Sequence, residues 1–493
     1  MVTFSSAVGR VLLILPVLLA AAACRDSRSP ERELVDRAVR FMGGADRLLG
    51  PRSLSIEGDG EVALLGQDVG TPSVPAAWKV TGWRRTIDLN ARRMRVWQQT
   101  RQPMFVWAFK PPPPFSRGID GAVAYDVVPD GTTLRASASV ATAARIEMLH
   151  HPLVLLRAAL QPGARLANRR VEAGYDVIDL TTSEGDLVAL GFDAAYGMLT
   201  MAWSPSYDHN LGDVVVETGF YRYEAHDGLM LPMRIVSRLD RFAQNDLNVT
   251  GISIDVDVRD LVAPDAVRAK TSPPDTPPVH VTVERLGAGV WRLAGQTHHS
   301  VVIEFADHVR IFEVPLSEAR SLAVIATARR LGRGKPVTHA VISHRHFDHA
   351  AGLRAAIAEG LTIVTERENE GFVRELAARS HSRHPDMLAR HPRPLRLESV
   401  NVHFRLQDRV NALHLMTVDV KAHSGTALVA YLERLNLAVH ADFFDSESDS
   451  FSFVRPLYEV LRVSYGRIAR HVPIHGRPLT HATFLRAVAS TPP

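Results

Sequence analysis

The chain has 493 residues, of which 46% are hydrophobic and 22% charged, and its formal net charge is +4 at pH 7. This composition predicts a folded globular protein and excludes a disordered one. Because a single hydrophobic core stops growing at about 250–300 residues, the length predicts two domains. The small net charge predicts no nucleic-acid partner.

The first 24 residues have the layout of an export signal. Arg10 is followed by an uncharged stretch, residues 11–23, and then by Cys24, the single cysteine of the chain. The apolar stretch is too short to span a bilayer comfortably. Residues 19–24 resemble a bacterial lipoprotein signal, in which the cysteine is lipidated; an ordinary cleaved signal peptide is the alternative. We therefore expect an exported protein, either periplasmic or anchored to a membrane through a lipid on Cys24.

Residues 30–270 predict a β-rich first domain. A helix is expected over residues 33–42, and it precedes strand-like runs separated by turn residues, for example residues 93–97, 104–109 and 214–221. A helical stretch over residues 145–160 contains Pro152, which is expected to break or kink it. We therefore expect an antiparallel, curved sheet with a helix over one face.

This architecture, with the phrase Gly228 to Pro232, loosely resembles the half-barrel of periplasmic lipoprotein-carrier proteins. The aromatic side chains of this domain are expected to fill its core rather than to line a pocket. These side chains are Trp78, Trp83, Trp97 and Trp107.

Residues 271–278 are rich in proline and predict a stiff linker. Residues 279–493 then alternate strands and helices. Strands are predicted at 279–286, 290–294, 300–305, 309–314, 338–342, 362–365, 395–397, 400–406, 411–417, 427–432 and 437–440. Helices are predicted at 316–331, 350–359, 368–378, 456–469 and 480–489. The whole chain is therefore α+β, with a second domain whose two β-rich halves and outer helices predict an αβ/βα four-layer sandwich.

Three histidines and one aspartate lie together in Ser343-His344-Arg345-His346-Phe347-Asp348-His349. The apolar, β-branched run before them predicts a buried strand, so the motif begins where that strand ends. In an extended segment His344 and His346 point the same way, whereas Asp348 and His349 follow after the chain has turned. Imidazole and carboxylate ligands suit zinc, iron or manganese. The motif therefore predicts a site for divalent metal ions.

Three later residues occupy similar positions at the edges of apolar segments. His423 precedes the predicted strand 427–432, Asp442 follows the strand 437–440, and His475 ends a short apolar run before the last helix. A catalytic metal site needs several rigidly held ligands and an open position for water. These residues are therefore candidates for the rest of the ligand set.

With these four motifs in order, residues 280–493 resemble the metallo-β-lactamase fold superfamily, in particular its glyoxalase II-like binuclear metallohydrolases. The resemblance implies two Zn²⁺ ions, with iron or manganese as alternatives. It implies one ion on His344, His346 and His423, a second on Asp348, His349 and His475, and Asp442 as the bridge between them.

The resemblance also implies an activity. We expect an exported binuclear zinc-dependent hydrolase that attacks the ester, thioester, lactone or amide carbonyl of a small molecule with a metal-bridging hydroxide. Asp348 would be the catalytic residue that holds this hydroxide in line. Two alternatives remain open: an iron-dependent oxidoreductase on the same fold, and a lipid-binding or small-molecule-binding lipoprotein in which the metal domain is auxiliary.

Several neighbouring residues are also assigned from the sequence. Glu313 stands where the superfamily often has aspartate, and it is expected to be structural. His440 is expected to be a packed strand-end histidine, and Ser343 is not expected to be a nucleophile. The substrate pocket is predicted to be walled by residues 297–299, 380–394 and 443–453. Within the second wall a solvated, flexible loop is predicted to carry His381, His384 and His391.

Overall fold

The structure is a computed structural model that describes residues 29–70, 74–98, 100–105, 114–446, 453–464 and 467–491. The predicted export segment 1–24, with Cys24, and also Trp107, lie outside the described residues. In the described ranges, every helix is too short or too polar to cross a bilayer.

The first part of the chain forms one 14-stranded antiparallel sheet. Its strands are β1 (Ser53–Ala63), β2 (Ala77–Asp88), β3 (Arg93–Gln98), β4 (Thr100–Pro103), β5 (Phe115–Asp120), β6 (Val123–Val127), β7 (Thr133–Arg135), β8 (Arg165–Glu172), β9 (Tyr175–Thr181), β10 (Leu187–Phe192), β11 (Leu199–Asp208), β12 (Gly212–His226), β13 (Leu229–Leu239) and β14 (Phe242–Ile254). They run in the spatial order 7-6-5-3-2-1-14-13-12-11-10-9-8, and β4 pairs with β2. The antiparallel pairing agrees with the alternating runs of the sequence.

Helices cover part of this sheet. They are α1 (Pro30–Phe41), α2 (Ala45–Leu49), α3 (Ala138–Leu149), α4 (Pro152–Leu160) and α5 (Asp265–Arg268), with a 3-10 turn at Arg259–Leu261. The apolar faces of α1 and α4, including Val35 and Leu156, share one buried cluster with sheet residues such as Ile56 and Trp83. The helices therefore bury one face of the sheet.

The rest of the chain forms a seven-stranded and a six-stranded sheet. The first contains β15 (Thr282–Gly287), β16 (Val290–Ala294), β17 (Ser300–Glu304), β18 (Val309–Phe312), β19 (Val337–Val341), β20 (Thr362–Glu366) and β21 (Leu397–Val400). The second contains β22 (His403–Gln407), β23 (Ala412–Val420), β24 (Gly425–Leu432), β25 (Leu437–His440), β26 (Arg470–Pro473) and β27 (Leu479–Thr480). Both sheets are mixed, since β18 to β21 run parallel, as do β25 and β26, while the other neighbours are antiparallel.

Seven helices accompany these sheets in the described ranges. They are α6 (Glu318–Leu331), α7 (Phe347–Ala350), α8 (Leu353–Ala358), α9 (Glu370–Ala378), α10 (Met387–Arg390), α11 (Val454–Ser464) and α12 (His481–Ser490), with 3-10 turns at Arg367–Asn369 and Glu433–Leu435. One buried cluster joins α6, α8 and α9 to the first of these sheets. Another joins α11 and α12 to the second.

A third buried cluster lies between the two sheets. It contains Val301 and Val341 from the seven-stranded sheet and Leu415, Leu428 and Val439 from the six-stranded sheet. The two sheets therefore share a hydrophobic core, which holds the strand ends at its rim in fixed positions relative to one another.

Three predicted elements are divided in the structure, and each division has a local cause. The helix predicted at 350–359 is interrupted at Gly352, whose N–H donates to the carbonyl of Val314 at 2.9 Å instead of to a carbonyl of the preceding helical turn. The strand predicted at 400–406 is split because the chain leaves the seven-stranded sheet after β21 and enters the six-stranded sheet at β22. The stretch 145–160 forms two helices that meet just before Pro152, as its missing N–H requires.

Other boundaries also differ from prediction. Of the strand predicted at 104–109, residues 104 and 105 are not in a strand, because β4 stops at Pro103, and residues 106–109 lie outside the described ranges. The helix predicted at 456–469 begins at Val454, and residues 467–469 are not helical because the chain turns into β26. Trp78 and Trp83 are buried in the core as expected, whereas Trp97 is 39% exposed.

Leu428→Ala tests the shared core. Leu428 is fully buried between the two sheets, so its truncation leaves a cavity and is expected to lower the free energy of unfolding by about 2–5 kcal/mol. The measurement is urea unfolding of both proteins. Val402→Ala is the control, because Val402 is 71% exposed and its loss is expected to change stability by less than about 0.5 kcal/mol. An equal effect of the two substitutions would contradict the assignment of Leu428 to the core.

Candidate metal centre

The candidate ligands lie where strands of the two sheets end. The motif His344 to His349 follows β19, and His346 occupies the residue position just before the short helix α7. His423 lies in the turn between β23 and β24, Asp442 follows β25, and His475 follows β26. Because these strand ends meet at one rim of the shared core, residues far apart in sequence come together.

One group of four side chains contains His344, His346, His423 and Asp442. Each offers one ligand atom, and these atoms all lie within 4.8 Å of one another. Asp442 Oδ2 lies 2.9 Å from His423 Nε2 and 3.4 Å from His344 Nε2. The three imidazoles are buried, so the group is shielded from bulk water.

A second group of four contains His298, Asp348, His349 and His475, again with ligand atoms within 4.8 Å of one another. Asp348 Oδ2 lies 3.1 Å from His298 Nε2. The backbones of His298 and His475 form an antiparallel bridge, which explains why their rings lie only 4.0 Å apart, centroid to centroid.

The Asp442 carboxylate connects the two groups. Its Oδ2 atom faces the first group, and its Oδ1 atom lies 2.9 Å from His349 Nε2 and 2.8 Å from His475 Nε2 in the second. The backbone of Asp442 has a left-handed φ of 42°, a conformation that costs energy in a residue with a side chain and that concentrates at functional sites. This carboxylate is therefore placed to bridge two ions.

Three of the imidazoles are oriented by a partner on the ring nitrogen that faces away from the cluster. Ser343 Oγ lies 2.9 Å from Nδ1 of His344. The backbone carbonyl of Asp68 accepts from Nε2 of His346 at 3.1 Å. A partner on one nitrogen fixes which nitrogen carries the proton and aims the other at a metal.

Glu313 provides the third of these contacts, to His349. It is fully buried, its Oε2 lies 3.1 Å from His349 Nδ1, and its Oε1 accepts from the backbone N–H of Ser343 at 2.9 Å. Its φ of 73° is also left-handed. The glutamate expected to be structural thus supports the motif directly.

The electrostatics differ between the two groups. Burial lowers the pKa of His344 to about 4 and the pKa of His346 well below its usual value, so both rings are neutral at pH 7 and their lone pairs are available to a metal. Burial also acts to lower the pKa of His349, but the carboxylates of Asp442 and Glu313 outweigh it and raise that pKa well above its usual value. A proton and a metal ion therefore compete for His349, and binding of the ion releases the proton.

Both carboxylates of the centre are ionised. Burial acts to raise the pKa of Asp442, but the neighbouring His349 and His475 outweigh it and hold that pKa well below its usual value. Burial also acts to raise the pKa of Asp348, but the neighbouring His349 and His298 outweigh it and hold that pKa well below its usual value. Six imidazoles and two carboxylates in two sets, with no thiolate, fit two divalent ions such as Zn²⁺.

The structure brings all seven predicted ligands together, and it adds His298. The sequence predicts a pocket wall at His298, because this residue lies outside the four ligand motifs. The available signal was the His298-His299 pair directly before strand β17, a strand-edge position like those of the other ligands. His440 is fully buried beside the ring of Phe444, which agrees with a packed strand-end residue.

The loop prediction for His381 is wrong. His381 is only 2% exposed, and its ring packs on Tyr207 of β11. The loop is fixed there because the Asp213 carboxylate accepts hydrogen bonds from Ser380, Ser382 and Arg383. Asp213 is too far from this loop in the sequence for a local pattern to predict the contact. His384 and His391 are exposed, as expected.

Comparisons with known proteins find similar chains among solved structures. No protein-family model matches the chain, and no curated protein matches it. Among solved structures it is similar to the metallo-β-lactamase DIM-1 (13% identity, TM-score 0.34), to a metallo-β-lactamase from Hirschia baltica (14%, 0.32) and to the metallo-β-lactamase FIM-1 from Pseudomonas aeruginosa (12%, 0.32). These matches cover 43%, 42% and 44% of this chain and 96% of each of the others.

Each of these structures is named as a metallo-β-lactamase. At these identities and TM-scores the likeness says nothing about substrate. The chemistry available to this chain is therefore set by its own ligand geometry, in which two groups of side chains meet at Asp442.

Glu313→Gln tests the support of His349. The substitution keeps the size of the side chain but removes the negative charge that faces His349 Nδ1, and loss of such an outer contact typically weakens metal binding by about 10–100-fold. Competition with a chromophoric chelator measures the dissociation constants of the bound ions. Unchanged affinity at both sites would contradict the role assigned to Glu313.

Proposed function

We propose that this protein is an exported, binuclear zinc-dependent hydrolase that cleaves an ester, thioester, lactone or amide bond of a small molecule. The observation that supports it best is the Asp442 carboxylate, whose two oxygens face two separate groups of metal-ligating side chains. Two divalent ions in these groups would supply Lewis-acid activation of water and of the scissile carbonyl.

The residues of the chain have distinct tasks in this proposal. His344, His346 and His423 would hold one ion; His349 and His475 would hold the other, together with Asp348. Because its pKa lies well below the usual value, Asp348 is a weak base. Its ionised carboxylate can still accept hydrogen bonds. It would therefore orient the attacking water rather than carry its proton away.

A cavity of about 790 Å³ lies beside the His298 segment, and none of the eight side chains of the two groups lines it. Its lining includes Thr297 and His299, which flank His298, and Arg477, two residues after His475. Thr297 and His299 of the predicted wall 297–299 thus line a cavity. In the predicted wall 443–453, the ring of Phe453 lies 5.3 Å from that of His423, centroid to centroid.

The architecture and location in this proposal come from the sequence. We propose that residues 30–270 form a β-rich domain, that 271–278 link it to a metallo-β-lactamase-like domain at 279–493, and that this second domain is an αβ/βα four-layer sandwich. The three buried clusters that join helices to sheets and sheet to sheet support that layering. We also propose that residues 1–24 direct export and that a lipid on Cys24 tethers the protein to a membrane.

Elemental analysis of the purified protein, beside a panel of carbonyl substrates, tests the proposal. The expected result is about two zinc ions per chain and hydrolysis of at least one substrate class. Iron that cycles between oxidation states in a redox titration would favour the oxidoreductase alternative. A protein that retains a lipid and keeps its biological role without metal would favour the binding alternative, and hydrolysis that persists in the metal-free protein would defeat the proposal.

His346→Ala and Asp348→Ala are expected to reduce turnover by at least about 100-fold and to lower bound metal, since each removes a ligand atom and ligands matter more than their outer supports. His209→Ala is the control, because His209 is exposed and lies outside both groups and outside the predicted pocket walls. Turnover and metal content are measured on the same preparations. Full activity of either ligand variant would refute the assigned site.

A further inference from the structure

The loop that joins β1 to β2 of the 14-stranded sheet lies directly on the metal centre. We call residues 64–70 of this loop the capping loop. Its Gly66 carbonyl accepts from the backbone N–H of Phe347 at 3.1 Å, and its Gly70 N–H donates to the carbonyl of His423 at 3.2 Å. The capping loop therefore contacts two of the three segments that carry the first group of ligands.

Two further contacts from this loop reach ligand side chains. Gln67 Nε2 donates to Asp348 Oδ1 at 2.7 Å. The Asp68 carbonyl accepts from His346 Nε2 at 3.1 Å. The Gln67 side chain thus contacts a ligand of the second group, and the Asp68 backbone contacts a ligand of the first group.

The capping loop has a defined conformation. Gln67 N–H donates to the Leu64 carbonyl at 3.1 Å, and Val69 and Val74 exchange two backbone hydrogen bonds, at 2.7 and 2.9 Å. Gly66 has a left-handed φ of 74°, and a Cβ placed there would lie 2.2 Å from the Phe347 ring. A residue without a side chain is therefore required where the loop crosses the motif.

We infer that the capping loop is a built-in part of the metal centre, in which Gln67 is a positioning residue for Asp348 and the Asp68 carbonyl fixes the proton of His346 on Nε2. The inference deepens the proposed function and rests on it for the presence of metal. It gives the β-rich first part of the chain a role: the metal centre is complete only when that part is docked on it.

The geometry explains how each contact acts. Gln67 holds one oxygen of Asp348 while His298 Nε2 lies 3.1 Å from the other, so the plane of this carboxylate is set from both sides. A carbonyl can only accept, so the Asp68 contact leaves Nδ1 of His346 as the ligating nitrogen, and that atom lies 3.9 Å from Asp442 Oδ2. Both contacts orient ligands before a metal arrives, which is how outer contacts raise metal affinity.

Gln67→Met tests the positioning role, because methionine keeps the length of the side chain but cannot donate. The matched control is Gln161→Met, at an exposed glutamine that follows α4. Full-length proteins are stripped of metal and titrated with Co²⁺ and with Zn²⁺ against a chromophoric chelator. The expected result is binding about 10–100-fold weaker at one of two sites, with a changed visible spectrum of the cobalt protein.

The outcomes separate this inference from the proposed function. Wild-type affinities and an unchanged cobalt spectrum in Gln67→Met overturn the inference, even when the enzyme hydrolyses its substrate. Weakened binding in Gln67→Met but not in Gln161→Met supports it, even when no carbonyl substrate is cleaved. A wild-type protein that binds no metal overturns both.

Gly66→Ala tests the docking of the loop independently of Gln67. The added methyl group collides with Phe347, so the loop must shift and both ligand contacts weaken. Gly121→Ala is the control, because Gly121 has a similar φ of 61° but open space around its Cβ position, which isolates backbone strain. Metal affinity is expected to fall in Gly66→Ala only, and an equal affinity in the two variants would count against the inference.

Discussion

The site depends on one carboxylate, 14% exposed, that two sets of imidazoles share. Asp442 lies within 2.9 Å of His423 on one side and of His349 and His475 on the other. An ionised carboxylate in such surroundings is costly unless positive charge or a metal compensates it. Its strained backbone and the surrounding imidazoles are consistent with a residue placed for ligation rather than for stability.

The fold makes this arrangement possible because it brings strand ends together at one rim. The shared core of the two smaller sheets holds β19, β24 and β25 in fixed relation, and the backbone N–H of Leu428 donates to the carbonyl of Ser343 at 2.8 Å. A second layer of contacts, from Ser343, Glu313 and Asp68, then orients individual rings. Rigidity therefore comes from the core, and ligand direction from the outer contacts.

The ligand motifs could be predicted from the sequence because their spacing is local, as in His344 to His349, or because each stands beside a recognisable strand. Contacts between distant segments leave no such pattern. The role of Gln67 and Asp68 depends on how a loop of the first sheet docks on the motif, and the burial of His381 depends on Asp213 in β12. His298 is intermediate, because its strand-edge position was visible but its bridge with His475 was not.

The most direct measurement is X-ray diffraction at the zinc absorption edge from crystals of the zinc-loaded protein. The account predicts two anomalous peaks, one beside His344, His346 and His423 and one beside Asp348, His349 and His475, with Asp442 between them. A single peak away from Asp442, or the absence of any peak at these residues, would contradict it.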